Sequence, residues 1–204
     1  MSSIPQRQIS FTAGQTFFDQ VIWCQGARVY KQVASVTTGL PTKIRVPGHG
    51  IPLELTIAVW FDNFVTAKGS FSSGKHYFAF AEDENTIVLI DDNTTNETIS
   101  QYGTMFYIPP VDLLQTTVYA DFKYKASDTT ALIDASSLAP NAIFEIVSPG
   151  LIRMELTPAH TKTLIGSSRK AVSGVAQIEL HNEAGQVFRP WDYAWEVHPE
   201  GTRE

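Results

Sequence analysis

A chain of 204 residues with 43% hydrophobic and 18% charged side chains can bury a sizeable core without cross-links, which argues against disorder. Its formal net charge of −6 repels nucleic acid, and the fifteen Lys and Arg are scattered along the chain, so no DNA or RNA binding is expected. Cys24 is the only cysteine, which excludes an intrachain disulfide and a multi-cysteine zinc site; beside Trp23 it reads as a small buried hydrophobe.

The stretch Met1 to Gln8 lacks the apolar core of a signal peptide, and no run approaches the ~20 apolar residues of a membrane span. Synthesis in a cytoplasm, with no membrane span, is the expectation. Strand signals then follow one another: Phe17–Trp23, Thr42–Val46, Leu53–Trp60, His76–Phe80, Thr86–Ile90, Thr117–Lys125, Ile143–Val147 and Leu151–Leu156. Most are rich in β-branched or aromatic residues and bounded by Gly, Pro, Asn or Asp, which predicts an all-β protein. At Thr157–Ile165 the pattern changes to a short helix, with Thr157 as its cap and Pro158 in its first turn.

The C-terminal stretch predicts a β-hairpin. Ala176, Ile178 and Leu180 alternate with Gln177 and Glu179, the turn Asn182-Glu183-Ala184-Gly185 follows, and Trp191, Tyr193, Trp195 and Val197 alternate with polar or small residues. Each strand has one apolar face, which must lie against a second sheet, as in a β-sandwich. Between about Lys31 and Phe106 the text differs, with Gly-centred turns at Thr38–Pro41 and Pro47–Gly50, a Ser/Gly-rich stretch at Lys68–Lys75 and a polar one at Asp91–Thr98. Short strands joined by such loops suit a small barrel, read as an insertion at 31–107 into a domain made of 1–30 and 108–204.

Four segments resemble an immunoglobulin-like module of tailed phages. They are Phe11–Trp23, Pro109-Pro-Val-Asp-Leu-Leu114, Gly150-Leu-Ile-Arg-Met-Glu-Leu-Thr-Pro-Ala-His-Thr161 and Ile178-Glu-Leu-His-Asn-Glu-Ala-Gly-Gln-Val187 onward through Trp195. The module looks like the amino-terminal domain of phage baseplate upper proteins and related fibre adaptors, with Met154 in place of a Leu. Val36–Ile51 and Glu84-Asn-Thr-Ile-Val-Leu89 resemble the small SH3-like barrel of phage tail proteins, although Ile51–Trp60 lacks the Gly-Asp turn of that pattern. The resemblance implies an immunoglobulin-like β-sandwich with an inserted small β-barrel. It also implies a virion protein of the tail baseplate or fibre attachment, acting by assembly with other phage tail proteins and with its own copies as a homo-oligomer.

Candidate chemistry is thin. His49 stands between two glycines with no second ligand near it and reads as a turn histidine. Asp91, Asp92, Asn93, Asn96 and Glu97 make an oxygen-rich loop without the order of a Ca²⁺ loop, and so read as a solvated turn. Asn93-Thr-Thr and Asn96-Glu-Thr match the glycosylation sequon, which has no meaning in a bacterial cytoplasm. Asp121, Glu145, Glu155, Glu179, Asp192 and Glu196 fall in predicted strands as ordinary solvent-facing carboxylates, and Ser72, Ser73, Ser167 and Ser168 lie in turn-like segments without a nucleophile motif. No catalytic residue, metal site or cofactor is expected.

The aromatic residues are the candidate interface. For Trp191, Tyr193 and Trp195 three readings are open: sandwich core, subunit interface, or a platform for sugar rings of a host surface glycan. Phe61 and Phe64, with Phe71, Tyr77 and Phe78, raise the same question in the insert. Two rivals to a tail component therefore stay open, a receptor- or carbohydrate-binding module and a capsid decoration or head-to-tail connector protein.

Overall fold

The computed structural model describes residues 6–53, 55–67, 71, 74–90 and 92–200. Their backbone is mostly β, with one short helix among the described residues. Packing divides the chain into two compact units. One comprises the chain up to Val21 with Leu113–Val147 and the part from Ile152 on; the other comprises Ile22–Asp112 with Ser148–Leu151.

In the first unit lie β1 (Gln6–Thr12) and β2 (Phe17–Ile22). The second unit holds β3 (Val29–Gln32), β4 (Ser35–Thr37), β5 (Thr42–Arg45), β6 (Thr56–Asp62), β7 (Val65–Thr66), β8 (His76–Ala81), β9 (Thr86–Leu89), β10 (Ile99–Gln101) and β11 (Thr104–Tyr107). The chain then returns to the first unit with β12 (Thr116–Lys123), β13 (Ile133–Ser136), β14 (Phe144–Ser148), β15 (Leu151–Leu156), α1 (Pro158–Ile165), β16 (Val172–Asn182), β17 (Val187–Phe188) and β18 (Asp192–His198). The ends of β2, β14 and β15 fall at the division between the units.

The main sheet of the first unit has the order β1-β18-β16-β12-β13, with β17 beside β16, and β14-β15-β2 form a smaller sheet. The C-terminal hairpin is present: β16 and β18 pair antiparallel from Val172 opposite Val197 to Gln177 opposite Asp192. Period-two burial sets its sidedness, because Ala176, Ile178 and Leu180 on one strand and Tyr193, Trp195 and Val197 on the other are all buried. Sequence reading stopped short of β1, which joins the edge parallel to β18 from Gln6 opposite Asp192 to Thr12 opposite His198.

Helix α1 forms where its capping residues predicted it. The Thr157 hydroxyl accepts from the His160 amide and the His160 ring accepts from the Thr157 amide, so a histidine fills the role usually taken by Glu in a capping box. Thr161, fully buried, accepts from the Gly14 amide at 3.0 Å and donates to the Gln15 carbonyl at 3.1 Å. The helix thereby fastens the β1–β2 turn, a tertiary role that accounts for so short a helix.

The second unit is built on a curled sheet with the order β3-β11-β6-β8-β9-β5-β4, antiparallel at every pair. Its two ends are nearly one strand. Only Val33 and Ala34 separate β3 from β4, and their amides donate to the carbonyls of Gly103 and Arg45. The bent stretch 29–37 therefore pairs with β11 through one half and with β5 through the other, which covers backbone edges that an open sheet would expose.

Candidate functional site

The residues singled out in the sequence fall mainly on inner faces. Trp191, Tyr193 and Trp195 are buried, the last two at 1% exposure, and Phe61 is at 0%. Side chains covered by their own unit are not available to a partner or a sugar, so these four belong to cores. Phe64 is half-buried and packs edge-on against Phe61 at 5.3 Å, in a cluster with Phe71 and Tyr77. Cys24 is half-buried rather than enclosed, and burial pushes its thiol pKa up.

His49 is fully buried in a turn whose geometry it holds. Its Nδ1 accepts from the Ile51 amide at 3.0 Å, which leaves Nε2 to donate to the Asp83 carbonyl at 2.7 Å. The Tyr107 hydroxyl donates to the His49 carbonyl at 2.6 Å. Both ring nitrogens are thus committed to backbone, a structural role. Of the oxygen-rich loop, Asp91 lies outside the described residues, as do Ser72 and Ser73; Glu97 is buried, and Thr94 shares its hydroxyl with Thr42 at 2.8 Å. Among the described residues no group of three His, Cys, Asp or Glu side chains could hold a metal ion, and no helix is long and apolar enough to cross a membrane.

In the first unit an open groove of about 640 Å³ is lined by Phe18, Asp19, Gln20, Glu145, Arg153 and Glu155. Most of its charge is already matched: Arg153 donates to Glu145 at 3.0 Å, and Asp19 accepts from Arg7 at 3.0 Å and from the Tyr193 hydroxyl at 2.9 Å. Glu145 and Glu155 are exposed, whereas a glycosidase general acid is a carboxyl kept out of water. Burial, and then the Asp19 carboxylate, raise the Tyr193 phenol well above the ordinary tyrosine range; burial raises Tyr107 as well. A raised folded-state pKa means that the unfolded chain loses these protons first, near pH 10, so stability is intact below that pH and falls as pH rises above it. Urea melts between pH 9 and pH 11 are expected to show this fall, and Tyr193→Phe is expected to flatten it.

The unassigned feature is on the outside of the curled sheet. Tyr30, Phe106, Trp60 and His76 are successive cross-strand partners on β3, β11, β6 and β8, and they form one row. Ring centroids are 5.3 Å apart for Tyr30 and Phe106, 5.6 Å for Phe106 and Trp60 with the planes 7° from parallel, and 6.2 Å for Trp60 and His76. The Arg28 guanidinium lies 4.8 Å from the Phe106 centroid. Beside this row Phe78 stands opposite Ala58, and beyond it Phe80 stands opposite Thr56 and Val88. Tyr30 is 57% exposed and the neighbouring Phe78 53%, whereas Trp60 is half-buried and Phe106 is buried within the row; Phe61 and Tyr77, on the opposite face of β6 and β8, are closed.

Of the aromatic residues singled out in this unit, Phe61 and Tyr77 lie on the inner face and Phe78 on the outer one, while Trp60, Tyr30, Phe106 and Arg28 were not considered. The signal that could have found them is weak, because β6 and β8 carry apolar residues on both faces and the side that is inside is set by small Ala79 and Ala81. No protein-family model matches the chain, and no curated protein matches it either.

Proposed function

We propose that this chain is a structural protein of a tailed-phage virion, a tail baseplate or fibre-attachment component that acts by protein–protein assembly. In this reading the first unit is an immunoglobulin-like β-sandwich and the second a small β-barrel carried within it. Synthesis is in the host cytoplasm and the destination is the tail. The baseplate-like segments of the sequence support the reading, and so do the two discrete β units, one made of three stretches of chain. The observation that carries it is the aromatic row on β3, β11, β6 and β8, open to solvent at Tyr30 and at the neighbouring Phe78 and covered at Phe106. An apolar sheet face of this kind is tolerated on a soluble chain when an assembly covers it.

Ring geometry favours a protein partner over a sugar. A platform for pyranose rings needs aromatic faces turned outward, whereas Trp60 and Phe106 stack on each other and the Arg28 guanidinium lies over the Phe106 ring. Antibody raised against this chain and imaged on intact particles tests the proposal. Label on the tail is expected. Label on the capsid would support a decoration or connector protein instead, and particles free of label would refute a virion role.

A further inference from the structure

We infer that the outer face of the β14-β15-β2 sheet is a binding groove for the pyranose rings of an oligosaccharide. The site lies in the first unit, whereas the aromatic row is in the second, and it does not depend on the virion reading. Alternate burial builds it. Val21, Met154 and Leu156 point inward, so Phe18 and Gln20 on β2 and Arg153 and Glu155 on β15 point outward, with Glu145 exposed on β14. All five line the groove of about 640 Å³, and a second one of about 360 Å³ shares Glu145, Arg153 and Glu155 with it, both within the ~300–1,000 Å³ of small-ligand clefts.

What the groove leaves unused decides the ligand. Phe18 is 60% exposed, and among the described residues no ring or cation rests on it, unlike Trp60 and Phe106. The Glu155 carboxylate and the Gln20 amide make no side-chain hydrogen bond among the described residues, and Arg153 gives only part of its guanidinium fork to Glu145. Acceptors and donors thus stand free on one face beside an unused ring. A sugar hydroxyl both donates and accepts, neighbouring hydroxyls match the two oxygens of a carboxylate or the fork of a guanidinium, and the C–H face of a pyranose packs on an aromatic ring. Other classes fit worse. A phosphate group meets the unpaired charge of Glu155, an apolar ligand strips water from Glu155 and Arg153 without replacing it, and a basic peptide finds Glu145 already taken by Arg153 and Asp19 by Arg7. The sugar is bound and not cut, since both glutamates stand in water.

An open groove holds a single sugar chain weakly, with a Kd on the order of 1 mM, so the full chain is displayed in many copies on beads and applied to a printed array of bacterial surface oligosaccharides. The strongest array member is then titrated into the free protein and followed by the backbone amide signals in NMR. Retention on the array is expected, with shifts centred on Phe18, Gln20, Arg153 and Glu155. Phe18→Ala is expected to weaken binding at least ~10-fold and Glu155→Ala by ~3-fold or more, both with an unchanged thermal melt because the two side chains are exposed. Phe78→Ala, on the exposed face of the second unit, is expected to leave binding as it was. An array with no member retained overturns the inference, as does binding that survives Phe18→Ala or that is lost with Phe78→Ala. Shortened sugar chains after incubation would overturn binding without cleavage.

Discussion

Phe61→Ala is expected to destabilise the second unit by about 4 kcal/mol, and Phe78→Ala by about 0.5 kcal/mol or less. The two phenylalanines lie on adjacent antiparallel strands of one sheet, and composition does not distinguish them. Phe61 is at 0% exposure and meets Phe64, Phe71 and Tyr77 at 5.1–5.4 Å, all on the inner face, so truncation removes the transfer energy of a whole ring and leaves a cavity among neighbours that are themselves large and rigid. Phe78 is 53% exposed and touches the His76 ring at 5.4 Å, so its loss exposes little that was covered. Urea melts of the two variants read the difference directly. Equal costs would mean that the outer face is as closed as the inner one, and the assembly surface of the proposed function would go with it.

The same pair shows how far the sequence could be read. In the C-terminal hairpin the alternation of Ala176, Ile178 and Leu180 with Gln177 and Glu179 identifies the strand and its buried side together, whereas the same alternation in β1, where Gln8 and Ser10 flank buried Ile9, was missed. Helix α1 was legible because Thr157 and Pro158 are local signals that need no tertiary context. Sidedness was not legible in Thr56-Ile-Ala-Val-Trp-Phe-Asp62 or His76-Tyr-Phe-Ala-Phe-Ala81, where both faces are apolar and a shift of one residue exchanges them. Strands β3, β4, β7, β10, β11 and β13 were missed; each has four residues or fewer, too few for a period to repeat, whereas the equally short β5 and β9 were legible from their β-branched residues and the turns beside them. The candidate face was legible only in part for the same reason: the outward Phe78 was singled out together with the inward Phe61 and Tyr77, and Trp60 was passed over.

Gly174→Ala is expected to destabilise the first unit by about 3 kcal/mol, at a position that looks on the page like an ordinary strand glycine. Gly174 stands opposite Trp195 in the β16–β18 register, and a Cβ there would overlap both the Trp195 indole and the backbone carbonyl of Lys123 on β12. The absent side chain is what lets the indole lie over β16 and reach 1% exposure. Trp195→Ala should then cost about 4 kcal/mol in the isolated chain, whereas a tryptophan reserved for a partner could be removed at little cost to the monomer. The two positions are coupled through one clash. In a Trp195→Leu background the cost of Gly174→Ala should shrink by about 1 kcal/mol, because a shorter side chain vacates the space over β16, while the part due to the Lys123 carbonyl stays, since a backbone held in the sheet between two neighbours cannot retreat. A cycle with no coupling would mean that the indole does not rest on Gly174, and would reopen the C-terminal aromatic residues as candidates for an interface.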